Sequence, residues 1–85
     1  MTEYVAEVRI TPRAGLLDPE GHAVEGALKS LEFKGVHDVR VGKLVRFKVD
    51  AKDDNAARSA IDDMCRRLLA NPITEDFQIN VERAG

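Results

Sequence analysis

Two histidines, one cysteine and two adjacent aspartate pairs are the side chains through which this chain could act as a nucleophile, base or metal site. Cys65 lies between Met64 and Leu68 on the apolar side of a helical pattern. A thiolate is disfavoured there, and free cysteine in such a place behaves as a small buried hydrophobe. No hydroxyl or thiol stands beside a base and an orienting acid, as nucleophilic catalysis requires. His22 and His37 have no Cys or carboxylate at ligand spacing around them, so both read as solvated or locally hydrogen-bonded and no metal site is expected. Asp53-Asp54 and Asp62-Asp63 are helix neighbours that point about 100° apart, which makes them a solvated face rather than an acid–base pair.

Two loops carry basic residues in a more suggestive setting. Thr11-Pro12-Arg13-Ala14-Gly15 runs toward the positive end of a helix, where free amides and Arg13 could hold an anion. Asp18, however, already stands at the N-cap position. Arg40-Val41-Gly42-Lys43 lacks the first glycine, the Ser/Thr and the following helix of a phosphate-binding loop, but its cations could meet an acidic partner surface.

The whole chain sets the limits. It has 85 residues, 44% hydrophobic and 33% charged, with 13 Lys+Arg against 15 Asp+Glu and a net charge of −2. That length points to one domain over residues 1–85, with no internal repeat or linker. A chain this short buries only about 60–65% of its unfolded surface, so association is the expected way to gain buried area. A pI near 5.6 does not suit a nucleic-acid binder. Stacking aromatics on central strands are lacking too, since Phe47 alone qualifies and has the apolar parity. No apolar run approaches the roughly 20 residues of a membrane span. Met1-Thr2-Glu3-Tyr4 does not begin like a signal peptide, and the lone cysteine excludes an internal disulfide. A cytoplasmic protein is expected.

The elements that must position these residues follow from periodicity. Tyr4, Ala6, Val8 and Ile10 alternate with polar or mixed neighbours, a strand with one buried face, ended by Pro12 and Gly15. Asp18-Pro19-Glu20 starts a helix, Ala23, Val24, Ala27, Leu28 and Leu31 recur at its spacing, and Gly35 is its expected stop. Gly26 costs about 0.8–1 kcal/mol in a helix, which suggests close approach of another backbone. Val39, Val41, Val45, Phe47 and Val49 share one parity. Either a hairpin with a three-residue loop Gly42-Lys43-Leu44 or one bent strand over Val36–Asp50 accommodates them. The long strand, about 14 residues and roughly 45 Å, is favoured, with Gly42 as its bend and the excess paired to another chain. Asp53-Asp54 opens a second helix with Ala57, Ala60, Ile61, Met64, Cys65 and Leu68 inward. Asn71-Pro72 closes it, with Asn71 suited to a left-handed cap. Phe77, Ile79 and Val81 form a last strand. The predicted class is α+β, a small sandwich of a mainly antiparallel sheet under two helices. Its order is strand, helix, long strand or hairpin, helix, strand, in the ferredoxin-like neighbourhood.

Three segments carry a resemblance. Gly15-Leu16-Leu17-Asp18-Pro19-Glu20-Gly21 with Ala23, Val24 and Leu28, then Val39-Arg40-Val41-Gly42-Lys43, then Met64-Cys65 through Leu68-Leu69-Ala70-Asn71-Pro72-Ile73 together resemble PurS. PurS is the small subunit of phosphoribosylformylglycinamidine synthase (formylglycinamide ribonucleotide amidotransferase). Leu16 stands where valine is common, and Glu20 where glutamine is. The resemblance implies a subunit without catalytic residues, joining a glutaminase to an ATP-dependent synthetase and assisting ammonia transfer between them. The assembly turns formylglycinamide ribonucleotide, glutamine and ATP into the amidine, glutamate, ADP and phosphate. It also implies a homodimer or higher homo-oligomer, no cofactor on this chain, and ATP with magnesium in the synthetase partner. Arg13, Gly15, Arg40, Gly42, Lys43, Asn71 and Pro72 are the expected subunit contacts, with turn geometry as the plainer role of the glycines and of Asn71-Pro72. The other reading of the chain is a small ferredoxin-like regulatory or anion-binding module.

Overall fold

Alternation in the first segment becomes β1, Thr2–Pro12, whose Tyr4, Ala6, Val8 and Ile10 are the buried row of a sheet. The computed structural model describes residues 1–84. β1 is the central strand of a three-stranded sheet of order β2-β1-β3, antiparallel throughout. β2 is Lys43–Ala51 and β3 is Glu75–Arg83. Registers place Ala6 between Phe47 and Val81, and Val8 between Val45 and Ile79. One face therefore carries a continuous apolar band, as cross-strand pairing of period-two patterns requires.

α2, Asp54–Met64, covers that band. Asp53 caps it, accepting from the Ala56 amide at 2.8 Å. Ala57 and Ile61 are its fully buried residues, and Cys65, just past its end, is buried with them. The helix then widens into a π turn over Cys65–Leu69, with the Ala70 amide donating to the Cys65 carbonyl at 3.0 Å. Five-residue closure shifts the register. Leu68, expected inward, is instead 82% exposed, while Leu69 packs on the core and Ala70 is buried. Ala60 and Met64 also fall on the exposed side. The chain leaves the helix in extended conformation at Ala70. Asn71 takes no left-handed conformation. Its side-chain oxygen accepts from the Ile73 amide and its carbonyl from the Glu75 amide, a turn that feeds β3.

α1, Pro19–Ser30, starts where expected, with Asp18 accepting from the Gly21 amide at 3.0 Å. It ends well before Gly35. Glu32 adopts φ 72, its amide donates to Lys29 and that of Phe33 to Leu28. This is a Schellman closure with Glu32 at the left-handed position that glycine usually takes. Gly21 is the only buried residue of α1, and α1 makes no substantial contact with any strand. The expected α+β class and strand–helix–strand–helix–strand order are found, but a single helix covers the sheet.

Residues 36–42 lie outside the ladder, so the segment is neither a long strand nor a hairpin. The donors explain why. The Val39 amide donates to Glu25 Oε1 at 3.2 Å and the Val41 amide to Asp18 Oδ2 at 3.0 Å. Two alternate amides that a ladder would use are thus taken by carboxylates of α1 and its cap. With three strands, the sheet lacks the fourth of a complete ferredoxin-like unit.

Candidate subunit-contact site

Antiparallel pairing brings the end of β1 to the starts of β2 and β3, with Ile10 opposite Lys43 and Pro12 opposite Glu75. Arg13, Gly15, Arg40, Gly42, Asn71 and Pro72 belong to the loops that gather at this end, and Lys43 is the first residue of β2 there. Arg13 ties two of those loops together. Its Nη2 donates to the Pro72 carbonyl at 2.6 Å, its Nε pairs with Asp76 at 3.3 Å, and its backbone amide donates to Thr74 at 2.9 Å. Arg40 reaches back the other way. Its Nη1 donates to the carbonyls of Arg13 and Leu16, at 3.3 and 3.4 Å, while its Nε pairs with Asp38. The exposed ion pairs add little by themselves. The bonds to carbonyls matter more, because they hold three loops in one arrangement.

Gly15 has φ +84, a left-handed turn conformation that glycine adopts without strain. A Cβ on Gly42 would collide with the Ile10 carbonyl, so this glycine permits close approach to β1 rather than a strand bend. The same holds for Gly21, where a Cβ would strike the Val39 carbonyl and the Asp18 carboxylate. Gly26, expected to serve that purpose, has open space around it. The role of Gly21 was not foreseen from sequence, although a glycine in the first helical turn was a signal of it.

Asp18 decides the anion question. The Val41 amide and then the Gly21 amide hold its carboxyl below the usual carboxylate range, with Arg40 assisting after the opposing effect of burial. This carboxylate engages the amides that a bound anion would need, which removes the ground for an anion-binding module at α1. Cys65 is buried and its thiol is pushed up, by burial first and by Asp62 second, so it is no ready nucleophile. Among the described residues, no three His, Cys, Asp or Glu side chains cluster to hold a metal. No helix there is long and apolar enough to cross a membrane.

What this end does offer is apolar surface on a fixed frame. Leu17 is 87% exposed and Ile73 77%, each in a turn where polar residues are usual. Neither was expected as a contact from sequence, although an apolar Leu16-Leu17 pair in a turn was legible. Below them, a depression lined by Arg13, Arg66, Pro72, Asp76 and Phe77 has the Arg66 guanidinium 5.7 Å above the Phe77 ring. On the other side, Lys43 borders a shallow depression with Glu20, Val41, Gly42 and Glu75. Cationic, aromatic and exposed aliphatic groups held on rigid loops are the composition of a protein-contact surface.

The chain is similar to known proteins over nearly its whole length. Residues 5–83 match the PurS family, described as phosphoribosylformylglycinamidine (FGAM) synthase. The chain is 42% identical over 77 residues to a phosphoribosylformylglycinamidine synthase subunit PurS from Mycobacterium leprae, covering 91% of this chain and 94% of that one. The structure of Thermus thermophilus PurS superposes with a TM-score of 0.85 at 36% identity, covering 98% and 99% of the two chains. The crystal structure of Methanocaldococcus jannaschii PurS gives a TM-score of 0.84 at 33% identity, covering 96% and 99%. That protein is described as one of the subunits of formylglycinamide ribonucleotide amidotransferase in the purine biosynthetic pathway. With nearly its whole length matched in sequence and in fold, this chain belongs to the PurS family.

Proposed function

We propose that this chain, a subunit of phosphoribosylformylglycinamidine synthase in purine biosynthesis, bridges the glutaminase and ATP-dependent synthetase subunits and assists passage of ammonia between them. The observation that carries this reading is the stapled end of the sheet. Arg13 and Arg40 hold three loops in one arrangement and leave Leu17 and Ile73 outward, with no nucleophile among them. A surface of that kind suits holding two active sites in fixed relation. Ammonia released into bulk water is protonated and diluted, whereas fixed neighbouring sites keep its effective concentration high. Arg13, Gly15, Arg40, Gly42, Lys43, Asn71 and Pro72 are the proposed contacts, joined by Leu17 and Ile73. ATP and magnesium belong to the synthetase partner, the chain works as a homodimer or higher homo-oligomer, and the assembly resides in the cytoplasm.

Reconstitution tests the reading. Mixed with the glutaminase and synthetase subunits, the chain should restore amidine formation from glutamine. Ile73→Asp and Arg40→Ala should weaken that coupling while leaving synthesis from added ammonia intact. Equal glutamine-dependent rates with and without the chain would overturn the proposal.

A further inference from the structure

The π turn that ends α2 stands directly upstream of the Asn71-Pro72 loop. Arg66 and Arg67 still pair with Asp62 and Asp63 at four-residue spacing, at 2.7 and 3.1 Å. The extra residue therefore enters beyond them, where the Ala70 amide donates to the Cys65 carbonyl at 3.0 Å rather than to the Arg66 carbonyl that an α-helix would use. In uninterrupted α geometry, at about 100° per residue, Leu68 follows Ala57, Ile61 and Cys65 onto the buried side. The π turn sends Leu68 outward, 82% exposed, and brings Leu69 onto the core. Two adjacent leucines thus compete for one place. Because they are the same residue type, a one-residue slip exchanges them without changing the volume or chemistry of what fills it.

π closure is rare, so a group outside the helix must hold it. The loop that follows supplies that hold. The Asn71 amide donates to Glu75 Oε1 and the Glu75 amide to the Asn71 carbonyl, both at 2.8 Å. Arg13 reaches across from the end of β1, its Nη2 donating to the Pro72 carbonyl at 2.6 Å and its amide to the Thr74 carbonyl at 2.9 Å. Return to α geometry needs one residue fewer for the same turn. That residue would be released into the loop, displacing Asn71, Pro72 and Ile73 from Arg13. Upstream, the Arg66 guanidinium over Phe77 and the two ion pairs bound the segment that can move.

We propose that Cys65–Leu69 is a two-register element. In the first register the turn is π, Leu69 is inward and Arg13 latches the loop. In the second the turn is α, Leu68 is inward and the Asn71-Pro72-Ile73 loop is free of its staple. A group that grips the outward Leu68 favours the first, and one that draws Arg13 away favours the second. This goes beyond the bridging role and does not depend on it, because both registers are properties of the chain alone.

Thermal melts of the full chain at one fixed concentration test the proposal through a double-mutant cycle. Leu68→Ala alone should move the midpoint by less than about 2 °C, because that side chain is exposed in the latched register. Leu69→Ala alone should lower it by only about 5 °C, since Leu68 slips into the vacated place. The double variant has no leucine to substitute and should lose about 15 °C, well beyond the sum. In nuclear magnetic resonance, Overhauser contacts from the Leu68 methyls to the core should appear in Leu69→Ala and be absent from the unmodified chain. That contact is read on a single variant, so it decides the matter even where the double variant does not fold. Arg13→Ala, by removing the latch, should shrink the loss caused by Leu69→Ala about two-fold. Losses that simply add, or Leu68 methyls that stay off the core in Leu69→Ala, would overturn the two registers. A Leu69→Ala loss of the same size with and without Arg13 would overturn the latch.

Discussion

The two helices of this chain have the same sequence grammar and opposite fates. Each opens on an aspartate cap and repeats apolar residues at helical spacing. In α2 that stripe is sealed against β1, with Ile61 fully buried. In α1 it faces outward, and the helix is held by its polar side, through Asp18, Gly21 and Glu25, to the 38–41 connector. Periodicity therefore says which face of a helix is apolar, and leaves open which molecule covers it. A helix retained by carboxylates and a close glycine contact is free to offer its apolar side elsewhere.

Substitutions can break this contrast at several strengths. The largest effect should come from Ile61→Ala, a cavity where α2 is sealed against the sheet, costing about 2–5 kcal/mol in chemical denaturation. Leu31→Ala, measured where the chain is dilute and dissociated, should cost less than about 0.5 kcal/mol. Equal losses at the two sites would erase the distinction between the helices. Gly21→Ala should follow at about 1–3 kcal/mol, because its methyl meets backbone that cannot yield. The same change at Gly26, with open space around it, should instead stabilise α1 by about 0.8–1 kcal/mol. Two substitutions of one kind in one helix would thus have opposite signs in thermal melts.

A smaller effect should appear with pH. The Asp18 carboxyl is held low by the Val41 and Gly21 amides. Its contribution is complete above the ordinary carboxylate range and is lost as pH falls through its lowered folded value. Asp18→Asn should flatten that acid limb in urea titrations and loosen α1 from the connector. An acid limb unchanged by the substitution would show that Asp18 does not anchor the helix. The smallest change belongs to Cys65. Its buried, raised thiol should react with thiol reagents only as fast as the helix opens, so Ile61→Ala should accelerate labelling.

Much of the fold was legible because some signals are purely local. The alternation of β1, the Asp18 cap, the helix start at Asp53-Asp54 and the Phe77–Ile79–Val81 strand all formed as expected. Failures came where a distant group intervened. Val39 and Val41 continue the parity of Val45–Val49, but their amides are claimed by Asp18 and Glu25 before a ladder can form. Leu68 has the spacing of a core residue until the π turn puts Leu69 in its place. At the candidate site, the basic and turn residues were visible, and the bonds from Arg13 to Pro72 and from Arg40 to Arg13 were not. Such links span loops far apart in sequence, which no spacing rule registers.

Placing β1 in the middle of the sheet has a consequence for synthesis. The earliest strand to be made has its two neighbours in the middle and late parts of the chain. No adjacent hairpin shields it in the meantime, and loop closure must precede every rung of either ladder. The nascent segment Tyr4–Ile10, apolar on alternate residues, therefore waits without its full set of neighbours until β3 has been translated. One edge of β1 can pair with β2 while the other stays open until β3 follows, so that unpaired edge is the one a chaperone would meet.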